Sequence, residues 1–126
     1  MKKPQFDFIK RKDGTSEFIE FINALPDKDS AKLLATIKKT EEHGLLVAQR
    51  MEWIKKLDSD LYELRSKVGS NIQRAIYFQK IENDFLITHG FTKKSQKTPK
   101  SEIDHAKNIK QLYEKGELLW QVSIIW

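Results

Sequence analysis

The sequence predicts an α+β domain: an antiparallel meander of three or four strands, packed on an N-terminal helical hairpin and followed by a C-terminal helix. Three observations predict it. Apolar residues recur with helical spacing between residues 16 and 44. Three strand-like runs joined by short turns follow between 61 and 91. Helical spacing then returns after Pro99. A chain of 126 residues suffices for one domain with a single modest core.

Gln5 to Ile9 reads as a short strand, ended by the glycine-containing turn "KRKDG". In "TSEFIEFINAL", Phe18, Phe21, Ile22 and Leu25 fall at i, i+3, i+4 and i+7, one face of a helix. Thr15 or Ser16 caps it, Glu17 and Glu20 sit near its positive end, and Pro26 stops it. A second helix starts at Asp27 or Asp29, with Ala31, Leu34 and Ile37 on one face, Leu33 beside them, and Gly44 as the stop. The stretch "LLVAQRMEWIKKLDSD" fits neither period. It reads as irregular structure that buries Met51, Trp53 or Ile54, and Leu57.

The strands are 61–66, 72–80 and 85–91, with turns within 67–71 and around Glu82-Asn83. Short connections make consecutive strands antiparallel neighbours. A turn at Glu82-Asn83 sets Arg74 opposite Phe91 and Lys93 opposite Ile72; a turn within 67–71 sets Arg65 opposite Ile72 or Gln73. Arg65, Arg74, Lys93 and Lys94 then meet at one end of the sheet. Gly90 is a plausible site for a bulge. The last helix runs from Pro99 to about 115, with Ile103, Ala106, Ile109 or Lys110, and Tyr113 inward.

Charge sharpens the picture. Net charge is +5, and the window 61–100 carries all of the excess, with eight basic residues against three acidic ones. Within it "HGFTKKSQKTP" (89–99) has three lysines and no carboxylate. A basic region on an otherwise balanced chain is the footprint of a phosphate-backbone partner or of an acidic protein surface. The absence of cysteine excludes disulfides, thiolate metal sites and cysteine nucleophiles. His43, His89 and His105 show no metal-ligand spacing, so no metal site is expected. No apolar run approaches the ~20 residues of a membrane helix, and residues 1–12 lack the apolar segment of a secretory signal, so the expected location is the cytoplasm.

The strings "KKLDSDLYELR", "IQRAIYF" and "HGFTKKSQKTP", in that order and followed by an amphipathic helix, resemble the RelE/HigB-like toxin family, and within it the phage-derived branch. The resemblance covers roughly residues 5–114. It implies a twisted antiparallel sheet, a helical hairpin and a C-terminal helix, a RelE/ParE-like fold. It also implies a ribosome-dependent mRNA endoribonuclease, the toxin of a type II system. Its partners would be mRNA on the ribosome and an antitoxin that usually carries a helix-turn-helix domain. No small-molecule cofactor is implied. Arg65 and Arg74 match the family's basic strand positions, Lys93, Lys94 and Lys97 match the basic tail, and Tyr77 and Lys56 are weaker matches. The apolar "ELLWQVSIIW" (117–126) extends beyond the family's usual end; it is expected to cover sheet or helix surface, or to contact an antitoxin or a second copy.

RNA is cut without a metal when its own 2′-OH attacks the adjacent phosphate. The protein must then remove that proton, stabilise the added charge and protonate the leaving 5′-oxygen. Arginine suits the second task, because its guanidinium fork matches phosphate oxygens and stays charged. Arg65, Arg74, Lys93 and Lys94 are therefore the candidate catalytic residues, and Lys97, Lys67, Tyr77 and His89 the candidate RNA-binding ones. Bland roles stand beside these: a structural ion pair for Arg74, with Glu63 as a candidate partner; a half-buried, hydrogen-bonded position for His89; core or edge packing for Tyr77. His43 and His105 read as dipole or surface residues, and Trp53, Trp120 and Trp126 as packing. A ParE-like toxin that binds a protein such as DNA gyrase, and an inactive partner-binding protein of phage origin, are the alternatives.

Overall fold

The computed structural model of the protein describes residues 3–93 and 97–121. A mixed six-stranded sheet lies between helices. In chain order come β1 (Gln5–Lys10), α1 (Glu17–Ala24), α2 (Asp27–His43), α3 (Leu45–Arg50), β2 (Ile54–Asp58), β3 (Leu61–Val68), β4 (Asn71–Ile81), β5 (Asp84–Lys93), α4 (Lys100–Glu114) and β6 (Leu119–Gln121). The strand order is β2-β3-β4-β5-β1-β6.

The antiparallel meander is present, but the sheet is not antiparallel throughout. β1 pairs parallel to β5, and β6 pairs antiparallel to β1. Instead of a two-helix hairpin, three helices precede the meander, and α3 and β2 occupy the stretch expected to be irregular. Both are weakly marked in sequence: α3 is six residues long and buries only Ala48, and the edge strand β2 has no fully buried residue. Met51, expected inside, is 58% exposed.

Local chemistry explains the helix ends. Ser16 caps α1, its Oγ accepting from the Ile19 N–H at 3.3 Å. Gly44 ends α2 with φ +90°, a conformation that favours glycine. The inner face of α2 is rotated from the expected one: Leu33, Thr36, Ile37 and Thr40 are buried and Ala31 is exposed. The two faces of the sheet carry separate cores. Against α1 and α2 lie Phe6, Phe8, Leu64, Ala75, Tyr77, Phe85 and Ile87, with Phe18, Leu33 and Ile37 supplied by the helices. Against α4 lie Ile9, Leu61, Ile76, Phe78, Leu86 and Phe91, with Ala106 and Ile109 from the helix.

The β4–β5 register runs as predicted from Ile72↔Lys93 through Arg74↔Phe91 to Ile76↔His89, then slips by one at Tyr77↔Ile87. Thr88 is the extra residue, its hydroxyl donating to the Ile76 carbonyl at 3.1 Å. The bulge is thus at Thr88 and not at Gly90. It lets Leu86, His89 and Phe91 share the α4 side. Gly90 has a different reason: a Cβ there would stand 2.3 Å from Cδ2 of Phe21, so only a glycine lets α1 seat against β5.

Candidate functional site

The end of the sheet opposite the Glu82-Asn83 turn carries the basic residues. A two-residue turn at Gly69-Ser70 sets Val68 opposite Asn71 and Arg65 opposite Arg74, one or two residues from the expected partners. One cross-strand row then reads Lys67–Ile72–Lys93, and the next row on the same face Arg65–Arg74–Phe91. Of the four residues expected to meet here, Arg65, Arg74 and Lys93 converge, and Lys67 joins them. Lys94 lies outside the described residues.

The structural ion pair weighed for Arg74, with Glu63 as its candidate partner, is formed. Glu63, two residues before Arg65 on β3, shares the face, and its Oε1 is 3.2 Å from Arg74 Nη1. Both side chains are fully buried. Thr98 closes the group: its hydroxyl accepts from Arg74 Nη1 and donates to Glu63 Oε2, each at 2.7 Å. A buried charge is stable only when paired and hydrogen-bonded, and here Glu63 and Thr98 both meet Arg74 Nη1. Arg74 sits at 0% exposure with a carboxylate already on it, so it braces β3, β4 and the start of α4 and presents no surface to a phosphate.

Tyr77 and His89 are also interior. Tyr77 is 1% exposed, stacked on Tyr62 with ring centres 5.5 Å apart, and burial pushes its phenol well above the usual range. His89 is 4% exposed. Its Nε2 is 2.9 Å from Glu102 Oε1 and its Nδ1 3.0 Å from Thr88 Oγ1. Burial lowers its pKa against the opposing pull of Glu102. His105 stands beside it, ring centres 4.6 Å apart, and its Nε2 meets Glu17 Oε1 at 2.8 Å. These two histidine–glutamate pairs tie α4 to β5 and to α1. Among the described residues, no group of three or more histidines and carboxylates is arranged to hold a metal. Lys67 and Lys97 are exposed and Lys93 half-buried.

Arg65 differs from its neighbour. β2 pairs with β3 as far as Leu64 and the Trp53 carbonyl then accepts from Arg65 N–H, so the outer edge of β3 leaves the β2 ladder only beyond Arg65. A cleft of about 300 Å³ wraps this edge, lined by Lys32, Glu52, Trp53, Arg65, Ser66, Lys67 and Ile72. Arg65 is half-buried in it. One N–H of its fork reaches the Glu52 carbonyl at 3.5 Å, and its Nε is buried with no partner. Ser66 Oγ is likewise buried and unpartnered. Glu52 holds its wall of the cleft in the left-handed region, φ +61°. Three cations thus face a space in which a guanidinium keeps most of its five donors unused. Such a group is suited to a phosphate oxygen. Lys32, Trp53 and Ser66 escaped sequence reasoning because the cleft joins α2, the α3–β2 turn and β3, which no local pattern links.

A second, larger cleft of about 460 Å³ lies on the α1/α2 side, between α3, β2 and the Glu82-Asn83 turn, with Tyr62, Tyr77 and Phe85 among its lining and Lys56 beside them. On the opposite face of β1, Asp7 is buried with Oδ1 unpartnered; burial, then the nearby Asp84 charge, pushes its carboxyl up to about 6.

Beyond the meander, β6 adds three residues of the apolar extension to the sheet as its edge strand, and the remainder, with Trp126, lies outside the described residues. No helix is long and apolar enough to cross a membrane, among the residues described.

In comparison with known families, the one described as Phage derived protein Gp49-like (DUF891) matches residues 20–111, from within α1 to within α4, so the match spans the basic strand end and Thr98. No curated protein matches the chain.

Proposed function

Because the chain belongs to this Gp49-like, phage-derived family, within the RelE/HigB-like toxin superfamily, we propose that it is the toxin of a type II toxin–antitoxin system, cutting mRNA on the ribosome without a metal. The observation that carries this reading is Arg65, a cation with unused donors in an open basic cleft. In the proposed reaction the 2′-OH gives up its proton to a base and attacks the adjacent phosphate. The P–O5′ bond breaks, the leaving 5′-oxygen takes up a proton, and a 2′,3′-cyclic phosphate remains; meanwhile charge builds on the non-bridging oxygens. Arg65 stabilises that charge, with Lys67, Lys93 and Lys32 around it. Arg74 acts through Glu63 and Thr98 as a positioning residue for the strands that hold Arg65. Lys94 and Lys97 contribute to the backbone path of the RNA. An antitoxin with a helix-turn-helix domain is the proposed protein partner, and the cytoplasm the proposed location.

The test is primer extension on an mRNA translated in a purified system, with a control lacking ribosomes. Cuts at codon positions that require ribosomes are expected. Arg65→Ala should lower them by about 10²-fold or more, the usual loss when one transition-state donor is removed, with unfolding unchanged. A folded, antitoxin-free sample that makes no cuts overturns the reading in favour of a gyrase-type or inactive protein. An Arg65→Ala variant that cuts as well as the parent overturns the site.

A further inference from the structure

The cleft on the open edge of β3 contains more than a phosphate needs. Trp53 lines it, half-buried, at the end of the turn, immediately before β2. The ring is held from the α2 side by Lys39, whose Nζ lies 5.6 Å from its centre, and by His43, 6.0 Å away. Its backbone is fixed as well: the N–H donates to Ala48 O, and the carbonyl accepts from Arg65 N at 2.8 Å. The last bond couples the tryptophan to the arginine it neighbours. Across the cleft Ile72 gives an apolar wall, and Ser66 Oγ is a buried hydroxyl with no partner. A buried polar atom without a partner destabilises the fold unless something supplies the missing bond. Two residues that carry such an atom, Arg65 and Ser66, line one cleft together with an aromatic ring.

The volume limits what can enter. At about 300 Å³ the cleft lies at the small end of ligand sites, which suits one nucleotide and excludes a duplex. Bases in single strands stack on aromatic side chains while cations follow their phosphates.

We infer that Trp53 is the platform for one nucleobase of a single-stranded RNA, with Arg65 on the adjoining phosphate and Ser66 Oγ hydrogen-bonded to the same nucleotide. The inference rests on the nuclease reading for its biological setting, but its binding claim stands apart from cleavage. The ring is fixed before RNA arrives, so little side-chain freedom is lost on stacking. Trp53 is a binding residue here and takes no proton.

The experiment uses the full chain with Trp120→Phe and Trp126→Phe, which leaves Trp53 as its single tryptophan. A short single-stranded oligoribonucleotide is titrated without ribosomes while indole fluorescence is followed. Saturable quenching is expected, weakened at least tenfold by Arg65→Ala and several-fold by Ser66→Ala. In the ribosomal assay, Trp53→Leu should raise KM by about 5- to 150-fold, the range for loss of one base–aromatic stack, with kcat little changed. Trp53→Phe should restore part of that loss. Ser66→Ala guards against a Trp53→Leu variant that fails to fold, since the serine bears no packing load comparable to an indole. Quenching without ribosome-dependent cuts keeps the platform and overturns the nuclease reading. Cuts with no quenching, and a KM indifferent to Trp53→Leu and Ser66→Ala, overturn the platform alone.

Discussion

Arg65 and Arg74 face each other across β3 and β4, and the structure treats them in opposite ways. Arg74 is fully buried, ion-paired to Glu63 and braced by Thr98. Arg65 is half-buried, opens on a cleft and holds one long hydrogen bond, to a backbone carbonyl. In sequence both are arginines on strands, both in strings that resemble a toxin family. What separates them is which neighbour reaches each guanidinium. Glu63 lies on the same face of β3 as Arg65 but turns to Arg74, and Thr98 arrives from the far end of the tail to close that pair. Neutralising one arginine leaves its cross-strand neighbour, roughly 5 Å away, as the cation available to a ligand.

The contrast breaks most visibly at Glu63. Glu63→Ala takes the carboxylate away from the buried Arg74 guanidinium, and should cost about 3–5 kcal/mol in urea unfolding. Combining Glu63→Leu with Arg74→Met should recover most of that loss, because an apolar pair of similar volume replaces a desolvated one. If the double variant is as unstable as the single one, the buried pair is not the brace described here.

Asp7 sharpens the comparison from the acidic side, as a buried carboxylate that found no arginine. Its folded-state pKa, about 6, lies above the ordinary 3.8, so between those values the folded protein holds more protons than the unfolded chain. Stability from this group therefore falls as pH rises through that window. Asp7→Asn should add about 1–3 kcal/mol at pH 7, the scale of an unsatisfied buried polar group. The gain should shrink below pH 6 and vanish near pH 4, as chemical denaturation across that range would show. A constant gain would mean that Asp7 does not titrate there.

The smallest effect belongs to Arg65. Arg65→Ala should move stability by less than about 0.5 kcal/mol, in contrast to its expected effect on cleavage. A large loss of stability would place Arg65 with Arg74 among the braces.

Legibility in the sequence followed the range of the interaction. The two hairpins were visible because alternation and turn residues are local signals; the β4–β5 register was right on one side of Thr88 and off by one on the other. The parallel pairing of β1 with β5 left no trace near either strand. α3 and β2 were missed because short or edge elements bury too little to impose a period. At the site, the end of the sheet where Arg65, Arg74 and Lys93 meet could be counted out from the turns. Which arginine would be satisfied could not, since that was settled by Thr98, 24 residues beyond Arg74 in the chain. Trp53 read as packing because its neighbours in the cleft come from three elements.

The parallel strand pair also has a consequence for how the protein is made. β1 finds its partner at Asp84 to Ile87, so during synthesis the first strand waits until about two-thirds of the chain has been translated. Until then Phe6, Phe8 and Ile9 have no neighbouring strand on the β5 side, and closing so long a loop is slow. The nascent chain therefore passes through a period in which its most apolar N-terminal segment is open to other chains. Shortages of chaperone should be felt first at that strand, before the basic cleft has been assembled.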